Sequence, residues 1–132
     1  MNFPSPRSSP PNPHYPRRAP IDAYGNGGFR FADMSHRGSI LCLPSGIHAW
    51  SPLLMAQVTI EALAPVLAAS GEINLLLLGT GSDQVFPPRQ LRRLLEAAGI
   101  GLEAMATGAA ARTYNVLLAE GRRSGAALLA VE

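Results

Sequence analysis

Residues 75–95, "LLLLGTGSDQVFPPRQLRRLL", pass from an apolar run through a glycine turn into an amphipathic segment. The run and its lead-in, "EINLLLLG", are apolar on both faces, as a strand in the middle of a parallel sheet has to be. Beyond the turn, Leu91, Leu94, Leu95 and Ala98 share one stripe at helical spacing, and Arg89, Arg92, Arg93 and Glu96 take the other side. A proline near the start and Gly99 just past the end fit the usual asymmetry of helix termini.

The same order recurs downstream. "IGLEAMA" reads as a second strand, "TGAAARTYNVLLAEG" as a helix with Ala110, Tyr114, Leu117 and Leu118 turned inward, and "GAALLAV" as a closing strand. Short helix-to-strand connections favour right-handed parallel crossovers with helices covering a sheet, although the direction of the last strand stays open. Upstream, "TIEALAPVLAAS" reads as a helix with Thr59 as a cap and Pro65 disturbing its first turn.

The first third is rich in strands. In "IDAYGNGGFRFAD", Asn26-Gly27 separates two strand-like runs and predicts a hairpin, because both residues accept positive φ. "GSILCLPSGIHAW" continues with a strand over residues 38–43, a Pro44-Ser45-Gly46 turn and a shorter strand over residues 47–50. The expectation is one α/β domain over residues 21–132, a layered sandwich with an N-terminal β-hairpin.

Residues 1–20 hold seven of the 12 prolines and almost no aliphatic side chains, which predicts a disordered, partly extended basic tail. The formal charge of +2 resides there: the tail carries Arg7, Arg17 and Arg18 without an acid, whereas the rest holds eight Arg against nine Asp and Glu. A near-neutral body lacks the dense basic patch that nucleic-acid binding needs. No apolar run approaches the roughly 20 residues of a membrane-spanning helix, so membrane contact is expected to be peripheral at most. The single cysteine, Cys42, lies in the apolar run "ILCL" and reads as a buried thiol in a reducing compartment.

The glycine turn lacks the features of a nucleotide site. "GTGSDQVFP" has no lysine, and a dinucleotide fingerprint would need glycine where Gln84 stands. A simpler anion or partner surface remains. Loops leaving the carboxyl ends of parallel strands gather on one edge, which brings Gly79, Thr80, Gly81 and Asp83 toward Thr107, Gly108, Arg112 and Asn115. Thr107 is placed to cap the second helix, and Arg112 and Asn115 share a face. The other reading is that the glycines only permit tight turns while Arg112 pairs with Asp83 or another acid. His14, His36 and His48 lack metal-ligand spacing, and the carboxylates are scattered. No catalytic residue, metal or cofactor is expected.

Taken together, "IDAYGNGGFRF", "GSILCLP", "LLLLGTG", "TGAAARTYNVLLAEGRR" and "AALLAV" resemble a small α/β family long labelled a domain of unknown function. That family includes a mitochondrial complex I assembly factor and an adipogenesis-associated single-domain protein. The resemblance spans residues 21–132. It implies a three-layer sandwich around a mixed, partly parallel sheet, and involvement in building respiratory complex I, with no established reaction or cofactor. The signature positions it carries over are Tyr24, Gly25, Gly28, Phe29, Gly79, Thr80, Gly81, Arg112, Tyr114, Asn115, Glu120, Gly121 and Arg122. The expected function is that of a non-enzymatic interaction protein, in the bacterial cytoplasm or a mitochondrion, with a respiratory-complex subunit or membrane-associated assembly protein as partner. The alternative is a small-molecule or anion-binding domain using the same loops.

Overall fold

The computed structural model describes residues 14–132. Its elements are β1 (Ala23–Gly25), β2 (Gly28–Phe31), β3 (Met34–Arg37), β4 (Ser39–Leu43), β5 (Gly46–Trp50), α1 (Ala64–Ala68), β6 (Leu75–Gly79), α2 (Arg89–Ala97), β7 (Gly101–Met105), α3 (Thr107–Ala119) and β8 (Ser124–Leu128). Strands β1 to β3 form an antiparallel sheet, and the other five form a mixed sheet in the order β5-β4-β8-β6-β7. The closing strand β8 is parallel to β6 and antiparallel to β4, which is what makes the sheet mixed.

Alternation along the central strands explains the three layers. Leu41, Leu43, Leu76, Leu78, Ala127 and Leu129 join a core with Leu63, Val66, Leu91 and Leu95 from the side of α1 and α2. Their neighbours Ile40, Cys42, Leu77, Ala126 and Leu128 face the opposite way, against Phe29, Phe31, Ala110 and Tyr114 of the small sheet and α3. Successive side chains of a strand point to opposite faces, so a strand covered on both sides must be apolar throughout. Each fully buried leucine contributes about 1.5–3 kcal/mol by leaving water.

The hairpin forms as expected, with Asn26 at φ 54° and Gly27 at φ 78°. A second left-handed turn at Ala32 and Asp33, at φ 51° and 62°, adds β3, an edge strand outside the expected set. The helix expected across "TIEALAPVLAAS" is broken. A single 3-10 turn at Glu61–Leu63 leads into the five-residue α1, because Pro65 has no N–H and excludes the carbonyl one turn back. Thr59 still acts at this end, its hydroxyl accepting the Ala62 N–H at 3.2 Å.

Part of the segment assigned above to the tail, residues 14–20, packs against the body. Tyr15 and Ile47 exchange backbone hydrogen bonds of 3.1 and 2.8 Å along the outer side of β5, and Ala19 is buried. A proline-rich chain can lie extended on a sheet edge through its non-proline residues, with no helix required. Residues 1–13 of the expected tail lie outside the described residues.

Candidate functional site

Parallel pairing aligns Gly79 with Met105 and with Leu128, so the carboxyl ends of β6, β7 and β8 lie along one edge of the sheet, which settles the direction of the last strand. The loops that leave them, with the segment that follows β5, enclose an open groove of about 1010 Å³. Its lining has an apolar part, with Leu53, Leu54, Met55 and Val85, and a polar part, with Tyr24, Arg37, Ser82, Asp83, Arg112 and Glu132.

Two threonines build the groove's floor, and their hydroxyls are used in doing so. Thr107 is fully buried; its Oγ1 accepts the Gly81 N–H at 3.0 Å and donates to Leu129 O at 2.7 Å. Its own N–H donates to Gly81 O at 2.8 Å, locking the glycine loop to the start of α3. Thr107 was expected to cap α3. It sits inside the first turn instead, Ala106 occupies the cap position, and no side chain caps the helix there. The Thr80 hydroxyl accepts the Val85 N–H at 3.0 Å and reaches Asp83 O at 2.6 Å and Met105 O at 3.1 Å.

Glycine matters at two places in this floor. A Cβ on Gly79 would stand 3.0 Å from Thr107 Cα and Oγ1, so only glycine lets α3 approach β6 so closely. A Cβ on Gly108 would collide with the Tyr24 hydroxyl, because that ring lies directly over the first turn of α3.

Of the eight residues the sequence brought together, Thr80, Gly81, Asp83, Gly108 and Arg112 line the groove; Gly79 and Thr107 support it from beneath. Asn115 lies outside this groove and lines a smaller hollow beside it together with Gly108 and Arg112. Its amide is bound to the backbone of Ile21 in both directions, at 2.8 Å each, which fastens the start of the domain to α3. The alternative pairing of Arg112 with an acid is also not realised: among the described residues none lies within ion-pair distance of it, Asp83 included.

The apolar wall went unforeseen. Leu53, Leu54 and Val85 are 55%, 65% and 42% exposed although they line a groove, and Phe86 beside them is 77% exposed. The signal was present in "SPLLMAQ", where a leucine pair follows a proline with no strand or helix pattern to bury it.

Titratable groups elsewhere have structural causes for their shifts. Burial pushes the Cys42 thiol up to about 12, slightly opposed by Arg18, so it stays protonated. Burial also raises the Tyr114 hydroxyl; Cys42 adds to this and the charge of Arg18 opposes it. His36 is lowered by burial and by His14, whose ring centroid is 4.7 Å away, against a backbone bond to Ser39 that raises it. Ser45 Oγ lies 2.8 Å from His48 Nε2, but the pair belongs to the β4–β5 turn at the opposite edge of the sheet from the groove. Among the described residues no three His, Cys, Asp or Glu side chains group as metal ligands, and no helix is long and apolar enough to cross a membrane.

A family model described as a protein of unknown function (DUF498/DUF598) matches residues 21–129. An uncharacterized protein of Rhodobacter capsulatus is 46% identical over 121 residues, covering 92% of each chain. A crystal structure described as an outer membrane protein from Bartonella henselae matches with a TM-score of 0.87 and 55% identity, over 90% of this chain and 100% of that one. The mouse NADH dehydrogenase (ubiquinone) 1 alpha subcomplex assembly factor 3 is 28% identical over 115 residues. That match takes in 87% of this chain but spans only 62% of the mouse protein's length.

Proposed function

The chain belongs to the DUF498/DUF598 family of proteins of unknown function, and on that premise we propose that it is a non-enzymatic interaction protein serving the assembly of a respiratory NADH dehydrogenase. The observation that carries this reading is the composition of the groove. The Thr80 and Thr107 hydroxyls are consumed inside the fold, and the apolar Leu53, Leu54 and Val85 stand exposed beside the polar Tyr24, Arg37, Ser82, Asp83, Arg112 and Glu132. Exposed apolar side chains grouped on one surface mark a place where another molecule binds. No histidine or lysine lines the groove to serve as the base that a nucleophile in acyl or group transfer would need.

The likeness to mitochondrial assembly factors supports the choice of partner, a subunit of the complex or a membrane-associated assembly protein. The alternative of an anion-binding domain has less support, since Thr80, Thr107 and Asn115 have their polar atoms engaged within the protein. In a bacterium the proposed compartment is the cytoplasm.

Gene deletion in the source cell tests the reading. The amount of assembled complex, read on a native gel and as NADH oxidation by membranes, falls on deletion and returns on complementation. Unchanged complex in the deletion strain removes the proposal.

A further inference from the structure

The groove has two unlike walls that belong to different layers of the sandwich. Met55 packs against the core beneath α1 and α2, so the Leu53-Leu54 wall belongs to that layer. Tyr24 rests on Gly108 at the start of α3, so the polar wall belongs to the other. Whatever fills the groove touches both layers across the sheet's edge.

The apolar wall is held in place. Gln57 Oε1 accepts the N–H of Leu53 at 2.8 Å and of Leu54 at 3.2 Å, and Thr80 Oγ1 accepts the N–H of Val85. Each exposed apolar side chain therefore stands on a backbone amide tied down by a side chain. A surface ordered before binding loses little conformational freedom when a partner arrives.

The polar wall carries Arg37, Arg112 and Glu132, and among the described residues none of the three is ion-paired within 4.0 Å. Arg37 and Glu132 are opposite in sign; Arg112, in the second turn of α3, adds a further positive charge. Asp83 sits on the loop that carries Val85, and there it repels an acid. At about 1010 Å³ the open groove lies at the top of the roughly 300–1,000 Å³ range of small-molecule sites, which leaves room for several residues of a peptide.

Resting on the reading of this groove as a protein-recognition surface, we propose that its occupant is a short segment of a partner protein with apolar side chains toward Leu53, Leu54 and Val85 and a carboxylate toward Arg112. The apolar wall supplies affinity, and the carboxylate fixes which way the segment lies.

Panning the folded wild-type protein against phage-displayed random dodecapeptides, followed by titration of a synthetic winner by fluorescence anisotropy, tests this. Expected is a consensus with apolar positions and one Asp or Glu. Arg112→Glu weakens the winner about tenfold or more, and replacing the peptide's acid by Arg restores binding to that variant alone. Leu54→Asp abolishes binding, whereas Val116→Asp, exposed on α3 outside the groove, leaves it unchanged. A consensus without an acid, indifference to Arg112→Glu, or no enriched peptide overturns the inference. So does self-association that Leu54→Asp dissolves, which gives the groove to a second copy, or binding of phosphatidylglycerol vesicles in place of peptides. Complex loss on gene deletion combined with any of these refutes the groove's specificity and leaves the assembly role standing.

Discussion

Asn115 and Ile21 are joined by two hydrogen bonds in opposite directions: the Ile21 N–H donates to Asn115 Oδ1 and Asn115 Nδ2 donates to Ile21 O, each at 2.8 Å. The amide imitates a neighbouring strand and holds the first residue of the family-matched region on α3, 94 positions away in the chain. The polypeptide between β1 and the preceding arm thus has its backbone groups satisfied where no sheet partner is available.

Asn115→Ala leaves both Ile21 backbone groups without that partner and is expected to cost about 1–3 kcal/mol. Asn115→Asp keeps the acceptor but sets a carboxylate oxygen against the Ile21 carbonyl, and is expected to cost at least as much at neutral pH. Urea unfolding of the two variants measures the difference; equal stability to wild type would show that the clamp contributes nothing.

Thr107 carries the corresponding load at the groove floor, linking the Gly81 loop to the residue that follows β8. Thr107→Val keeps the shape but loses both hydrogen bonds of the hydroxyl, with an expected loss of about 1–3 kcal/mol. Thr107→Ser retains them and remains near wild type by thermal unfolding. Equal losses in both variants would mean that packing of the γ-methyl, rather than the hydroxyl, fixes this position.

How much of this was readable follows from where each signal sits. The strands β6, β7 and β8 and the helices α2 and α3 declare themselves by apolar period, because burial on one or two faces dictates it. Strand β3, "MSHR", lies at the edge of the small sheet, half-buried at most, and its turn places Ala32 at positive φ without glycine. Nothing local announces it. The gathering of loops at the carboxyl edge was legible from strand order alone. The roles of Asn115 and Thr107 were not, since each depends on a backbone atom remote in sequence.

Strand β7 is an edge strand whose outward carbonyls are covered by side chains. Arg92 NH1 donates to Leu102 O at 2.6 Å and Gln84 Nε2 donates to Ala104 O at 2.8 Å. Open edges invite pairing with other chains, and these two residues obstruct it. The double variant Gln84→Ala, Arg92→Ala is expected to self-associate more than wild type in sedimentation velocity. An identical distribution would show that the edge is protected by something else.

Alkaline pH should weaken the fold through Cys42. Its pKa is raised from 9.0 to about 12 by burial, so the native protein keeps the proton that the unfolded chain releases. Stability from this group is complete below about pH 9 and declines by about 1.4 kcal/mol per unit as pH rises toward 12. Tyr114, also raised by burial, steepens the fall at the upper end. Urea midpoints recorded between pH 7 and 10.5 test this, with Cys42→Ala expected to flatten the first part. A curve that Cys42→Ala leaves unaltered would contradict a buried, protonated thiol.

The central claim, that the groove at the carboxyl edge receives a protein partner, is tested most directly by site-specific photo-crosslinking in the source cell. A photoreactive amino acid placed at Leu54 is expected to yield a discrete adduct with a subunit or assembly protein of the respiratory NADH dehydrogenase, while the same probe at Val116 yields none. Adducts at Val116 with the Leu54 probe silent would contradict the account.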